Sequence, residues 1–248
     1  MTRLASPSVH VCPGCDAFYL QRRLRSANFF GARDWSDGVP SMWWQQGPLV
    51  RCNSCAALFW LDDVEAVGIM PEPPAPIGRL ARAWLRWFGD PQGRLQSHED
   101  WAETMKSWGR ARSIGHVNFD DVVYVLSRSK GISSDRILWL RKRIWWDLND
   151  RYRTRADGSP YPDVPVWPSA AERNNMEAIL GMLQDGETYP MSMIQQGELL
   201  RLLGRFDEAV AILKAVPPDG HSEIRALKIE RLARSCDTRV RELSPPSW

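Results

Sequence analysis

Val11-Cys12-Pro13-Gly14-Cys15-Asp16 and Arg51-Cys52-Asn53-Ser54-Cys55-Ala56 decide how the amino-terminal part of this 248-residue chain folds. Each stretch sets two thiols on either side of a two-residue turn, and 36 residues separate the two pairs. Pro13-Gly14 is a turn dipeptide, and Asn53-Ser54 favours the same local geometry. Together Cys12, Cys15, Cys52 and Cys55 supply the four soft ligands of a closed tetrahedral metal site. The long interval between the pairs predicts that the site encloses a small subdomain. A fully thiolate shell leaves no place for water or substrate, so the metal is expected to be structural.

The flanks of both turns alternate as short strands do. Val9, Val11, Phe18 and Leu20 surround the first pair; Leu49, Arg51, Leu58, Phe59 and Trp60 surround the second. Two hairpins, each carrying a C-x-x-C turn and joined by one ion, resemble a zinc ribbon, which residues 1–70 are expected to form. So small a β unit has a thin core and needs a staple. Zinc is the expected ion. Iron in a rubredoxin-like site is the alternative, because it uses the same four thiolates. Knuckles of that kind typically carry glycine after the second cysteine, where Asp16 and Ala56 stand here. His10 could in principle replace a sulfur, but it reads as a solvent-exposed strand residue.

Two proline-rich stretches punctuate the rest. Residues 71–78 read as an extended linker and 157–168 as a connector. Residues 79–156 read as a helical region in which Leu80, Trp84, Trp87 and Phe88 follow helical spacing. Asn118 is placed to cap a helix with Asp120 and Asp121 in its first turn. A longer helix starts near Ser134, with Ile137, Leu140, Ile144 and Leu148 on one stripe.

Residues 169–243 are the clearest helical region. Ser169-Ala-Ala-Glu172 matches a capping box. Met191 to Val216 resembles a tetratricopeptide (TPR) repeat: Gly197 and Ala209 occupy the small positions where two helices cross, and Gly204 fits the turn between them. That resemblance implies a peptide groove faced by Ile194, Glu198, Arg201 and Leu202. The last helix is expected to run through Cys236, Val240 and Leu243 on one apolar stripe, with Cys236 as a small hydrophobe. The expected fold class is therefore α+β, mostly α: a small ribbon followed by an α-helical domain with a TPR-like hairpin. The combination looks like uncharacterised bacterial proteins that pair a ribbon with TPR-type helices.

Composition narrows the function. Apolar residues make up 44% and charged residues 25%, and the net charge is only +2, well short of a dedicated nucleic-acid binder. No run of about 18 apolar residues occurs, so no membrane partner is expected. With no export signal in Met1 to Val11, the expected location is the cytoplasm, where paired C-x-x-C motifs favour metal over disulfides. There is no glycine-rich phosphate loop and no nucleophile elbow, and none of the four histidines sits in a catalytic motif. The expected activity is non-enzymatic protein interaction or scaffolding, with a protein or peptide partner. The aromatic loop from Trp35 to Trp44, with Trp43 and Trp44 foremost, is a second candidate contact surface. The alternative is a nucleic-acid-binding or transcription-associated role, which would use Arg22, Arg23 and Arg25 and the Arg141-Lys142-Arg143 run set among Trp139, Trp145 and Trp146.

Overall fold

A computed structural model describes residues 3–22, 24–26, 33–39, 47–90, 92–154, 159–160, 165, 167–218 and 220–243. The chain is α+β and mostly α, with short strands preceding the main helices. By Cα proximity it divides into two units: residues 1–29 with 44–117, and residues 30–43 with 118–248.

The first unit is built on two hairpins. Strands β2 (Ser8–Val11) and β3 (Phe18–Gln21) pair antiparallel around the first C-x-x-C turn. β5 (Leu49–Arg51) and β6 (Leu58–Trp60) do the same around the second. A further short pair joins β1 (Arg3–Leu4) to β4 (Leu24–Ser26). Cys12, Tyr19, Val50, Cys52, Phe59 and Leu61 form a small shared core.

The first unit takes in residues beyond 70 as well as a further strand before it. Strand β7 (Ala66–Ile69) adds to β2. Helices α1 (Arg79–Phe88) and α2 (Arg94–Trp108) follow, and β8 (Arg112–Ser113) then pairs parallel with β3. Ile114 enters the ribbon core, and Arg51 and Gly115 exchange backbone hydrogen bonds at 3.2 and 2.9 Å. Gly68 on β7 is dictated by α2: a Cβ there would lie 2.3 Å from the Trp108 ring. Two hairpins alone bury little, and the returning segment supplies the missing cover.

The second unit is helical. Helix α3 (Phe119–Ser127) opens with a capping box: Asn118 accepts from the Asp121 amide at 2.8 Å, and Asp121 accepts from the Asn118 amide at 3.2 Å. Helix α4 (Ser134–Asn149) buries Leu140, Ile144, Trp145 and Leu148. Helix α5 (Ser169–Gln184) starts without the box expected of Ser169 and Glu172. Pro168 is its N-cap, and Glu172 pairs instead with Arg151 at 2.5 Å.

Helices α6 (Pro190–Leu202) and α7 (Phe206–Lys214) form a helical hairpin. Gly197 lies against Leu213 so closely that a Cβ would come within 2.5 Å of its side chain. Gly204, at φ 78°, ends α6, and the Arg205 amide reaches back to the Leu200 carbonyl at 2.8 Å. Helix α8 (His221–Arg234) then sets Ala226 and Ile229 against Ile194, Leu213 and Val216.

The last helix is shorter than its apolar stripe suggests. Cys236 takes φ 54° and is exposed, and the Asp237 amide bonds the Leu232 carbonyl at 3.1 Å. This is a left-handed C-terminal cap, with cysteine where glycine is usual. Val240 and Leu243 are buried from an extended tail, so the stripe continues without the helix.

Candidate metal centre

Both C-x-x-C turns are built the same way. The Cys12 amide bonds the Ala17 carbonyl at 2.9 Å, and the Asp16 amide bonds the Cys12 carbonyl at 3.0 Å. The second turn repeats these bonds, Cys52 to Ala57 and Ala56 to Cys52, both at 2.9 Å. Inside each turn one amide points at a sulfur: Gly14 at Cys12 Sγ (3.4 Å) and Ser54 at Cys52 Sγ (3.3 Å). Amides so directed stabilise negative sulfur.

The two turns bring Cys12, Cys15, Cys52 and Cys55 together, with all four sulfurs within 4.8 Å of one another. Cys12 Sγ lies 3.7 Å from Cys55 Sγ, and Cys15 Sγ lies 3.8 Å from Cys52 Sγ. A tetrahedron with metal–sulfur bonds of about 2.3 Å has edges of about 3.8 Å. The donors therefore fit an ion, and no disulfide joins them.

The electrostatics agree. Burial, reinforced by the neighbouring sulfurs, pushes the Cys12 thiol up to about 12. At Cys52 burial also pushes upward, but the Cys55 and Ser54 amides and the neighbouring sulfurs bring it down to about 7. Four thiols so close cannot all ionise unaided, and a divalent cation resolves the conflict.

Two expectations around the site change. His10 is 3% exposed, not a solvent-facing strand residue. Its Nε2 meets Ser8 Oγ at 3.0 Å, its Nδ1 meets the Val64 carbonyl at 3.3 Å, and its ring stacks on Tyr19. It stands outside the group of ligands. Asp16 and Ala56 adopt φ of 57° and 60°, the conformation glycine would favour. The absence of glycine therefore does not count against an iron knuckle.

The residues expected to face a peptide groove are placed differently. Glu198 and Arg201 are both 0% exposed and paired at 2.6 Å, and Ile194 is buried against Ala226 and Ile229. Leu202 is half-buried and packs against Trp35, Val39 and Val240. This inward face is filled by the unit's own chain. Arg201 donates to the carbonyls of Asp237 and Arg239 (3.0 Å to the latter) and to Ser36 Oγ at 3.4 Å. Trp43 and Trp44 lie outside the described residues.

The reason for that filling lies far away in the sequence. Residues 34–36 run beside the tail: the Ser36 amide bonds the Arg241 carbonyl at 2.8 Å, and the Leu243 amide bonds the Asp34 carbonyl at 2.6 Å. Arg225 pairs with Asp34 and donates to the Trp35 carbonyl. Arg153 pairs with Asp37, which also accepts from Asn149 Nδ2 at 2.9 Å. The interval between the cysteine pairs is therefore not an enclosed subdomain, because residues 33–39 pack into the helical unit. Only the acid-flanked Asp34-Trp35-Ser36-Asp37 could have hinted at this, and isolated arginines give no periodic signal.

The cations of the 141–143 run are also engaged internally. Arg141 meets Asn175 at 3.2 Å, Lys142 meets Gln195 at 2.6 Å, and Arg143 meets Asp147 at 3.1 Å. Trp145 is buried, and Trp146 donates to the Asp37 carbonyl at 3.2 Å. Among the described residues no helix is long and apolar enough to cross a membrane. No family model, curated protein or solved structure matches the chain.

Proposed function

We propose that this protein is a non-enzymatic interaction scaffold, in which zinc holds an amino-terminal ribbon and a TPR-like helical unit handles extended peptide segments. The supporting observation is the hold on Asp34 to Asp37: three arginines from different parts of the unit take up its carboxylates, a serine hydroxyl and backbone carbonyls. Recognition through backbone carbonyls and acidic side chains is how a helical array grips an extended acidic peptide. The four-thiolate shell supports a structural metal, since it offers no open position for chemistry.

Two measurements test the reading. Elemental analysis should find one zinc per chain in colourless protein; red protein containing iron would replace zinc. Affinity capture from the source organism, with nuclease treatment, should retain a protein partner through a high-salt wash. Retention that collapses with salt or nuclease would favour the nucleic-acid alternative. The internal use of Arg141, Lys142 and Arg143 weighs against that alternative.

A further inference from the structure

Helix α1 is the least covered helix of the first unit for its apolar content. Its sequence is Arg79-Leu-Ala-Arg-Ala-Trp-Leu-Arg-Trp-Phe88, and Leu85 is its one buried residue. Leu80 is 88% exposed, Trp84 58%, Trp87 86% and Phe88 72%. Single exposed apolar residues need no explanation, but four on one ten-residue helix do. The Trp84 and Phe88 rings lie 5.4 Å apart, one turn from each other, so the exposed surface is continuous.

The charges are sorted with equal clarity. At about 100° per residue, the three arginines Arg79, Arg82 and Arg86 fall within an arc of about 60°. Leu80, Trp84, Trp87 and Phe88 share a separate arc of about 100°. All three arginines are exposed, with no ion pair among the described residues. No acidic residue occurs between Glu72 and Asp90. The helix thus carries charge of a single sign beside an uncovered aromatic face. Its ends are marked by the proline-rich 71–76 stretch and by Gly89 at φ 92°.

We infer that α1 is an interfacial anchor that lays Leu80, Trp84, Trp87 and Phe88 into the surface of an anionic lipid bilayer, with Arg79, Arg82 and Arg86 at the headgroups. A short helix with arginines on one face and tryptophan, phenylalanine and leucine on the other is suited to lying in the interface. Tryptophan favours the headgroup level, and arginine stems reach outward from an apolar base to the phosphates. The single-sign charge selects an anionic surface. The expectation of no membrane partner rested on the lack of a spanning segment; lying on a bilayer needs none. This inference goes beyond the scaffold reading and does not depend on it.

Co-sedimentation of the full-length, metal-loaded protein with vesicles tests it. The protein should pellet with vesicles of equal parts phosphatidylglycerol and phosphatidylcholine, but not with phosphatidylcholine alone, and added salt should weaken the binding. Trp87→Ser with Phe88→Ser, and separately Arg82→Glu with Arg86→Glu, should each lower partitioning by at least about tenfold. Both pairs are exposed, so metal content and circular dichroism should stay as in the wild type. Failure to pellet with anionic vesicles at low salt, equal binding to both vesicle types, or variants that bind like the wild type would overturn the inference. So would a wild-type dimer in sedimentation equilibrium that the Trp87→Ser, Phe88→Ser variant dissolves, since a second copy would then cover the face.

Discussion

Each of the two units of this chain is stabilised internally by different physics. The ribbon has a handful of buried side chains around two facing turns, and its strands are two to four residues long. The helical unit has a broad apolar core running from Trp145 through Leu180 and Leu199 to Ala233. It can also bury charge, provided each charge is partnered. A thin β core has the most to gain from a bound ion, whereas a thick helical core can hold an Arg–Glu pair away from water.

Removing a ligand should break this contrast most sharply. Cys12→Ser or Cys52→Ser should abolish metal binding and unfold the ribbon, a loss of the order of 10 kcal/mol of metal-coupled folding energy. Elemental analysis with amide exchange would check it; protection retained in β2, β3, β5 and β6 without metal would contradict it. In the helical unit the corresponding weak point is Arg201. Arg201→Ala strands the fully buried Glu198 carboxylate and should cost about 3–5 kcal/mol in denaturant unfolding. Replacing both residues by methionine should cost less, because no charge is then left alone.

Mild acid should sharpen the contrast, because the buried carboxyls of one unit and the thiols of the other respond in opposite directions. Burial pushes the Asp37 and Asp150 carboxyls above their ordinary range, and the two share one partner, Arg153. The folded state then holds protons more tightly than the unfolded state. The contribution of these two carboxyls to stability should therefore grow as pH falls from neutral toward about 4, the ordinary carboxylate value. Asp237 opposes it: burial pushes its carboxyl up, but the Arg239 amide and Arg241 hold it below its ordinary range. In the ribbon, protons compete with the metal for thiolates, so stability should fall. Thermal melts paired with metal release across that range would show whether the curves diverge. The smallest effect is expected at Ala56. Its φ of 60° suits glycine, so Ala56→Gly should stabilise the metal-loaded ribbon by about 1 kcal/mol, read as a higher melting temperature.

What could be read from the sequence follows local chemistry. The two C-x-x-C turns, their flanking strands, the Asn118 cap and the small residues Gly197 and Ala209 of the helical hairpin are each written within a few residues or in a regular period. The features that escaped are non-local or depend on competition. Ser169 and Glu172 had the spacing of a capping box, but Arg151 claimed the glutamate. The stripe through Cys236 and Leu243 had helical spacing, yet a left-handed cap ended the helix first. Residues 71–117 completed the ribbon through single backbone pairings at Arg112, Ser113 and Gly115, which leave no periodic trace. The clustering of Cys12, Cys15, Cys52 and Cys55 was legible because paired C-x-x-C turns of this kind call for a shared site. The expected groove was not, because whether a face is open depends on a segment far away in the chain.

The strip Asp34 to Asp37 carries a consequence for how the protein is made. Its partners lie 116 residues downstream at Arg153, 165 at Arg201 and 190 at Arg225. On the ribosome both C-x-x-C turns emerge early, followed by Ile114 and Gly115, which complete their core. The strip between them must wait, its carboxylates and carbonyls facing water, until Arg153, Arg201 and Arg225 have all been synthesised. Truncation before Arg225 would leave that strip exposed, a ready mark for proteolysis.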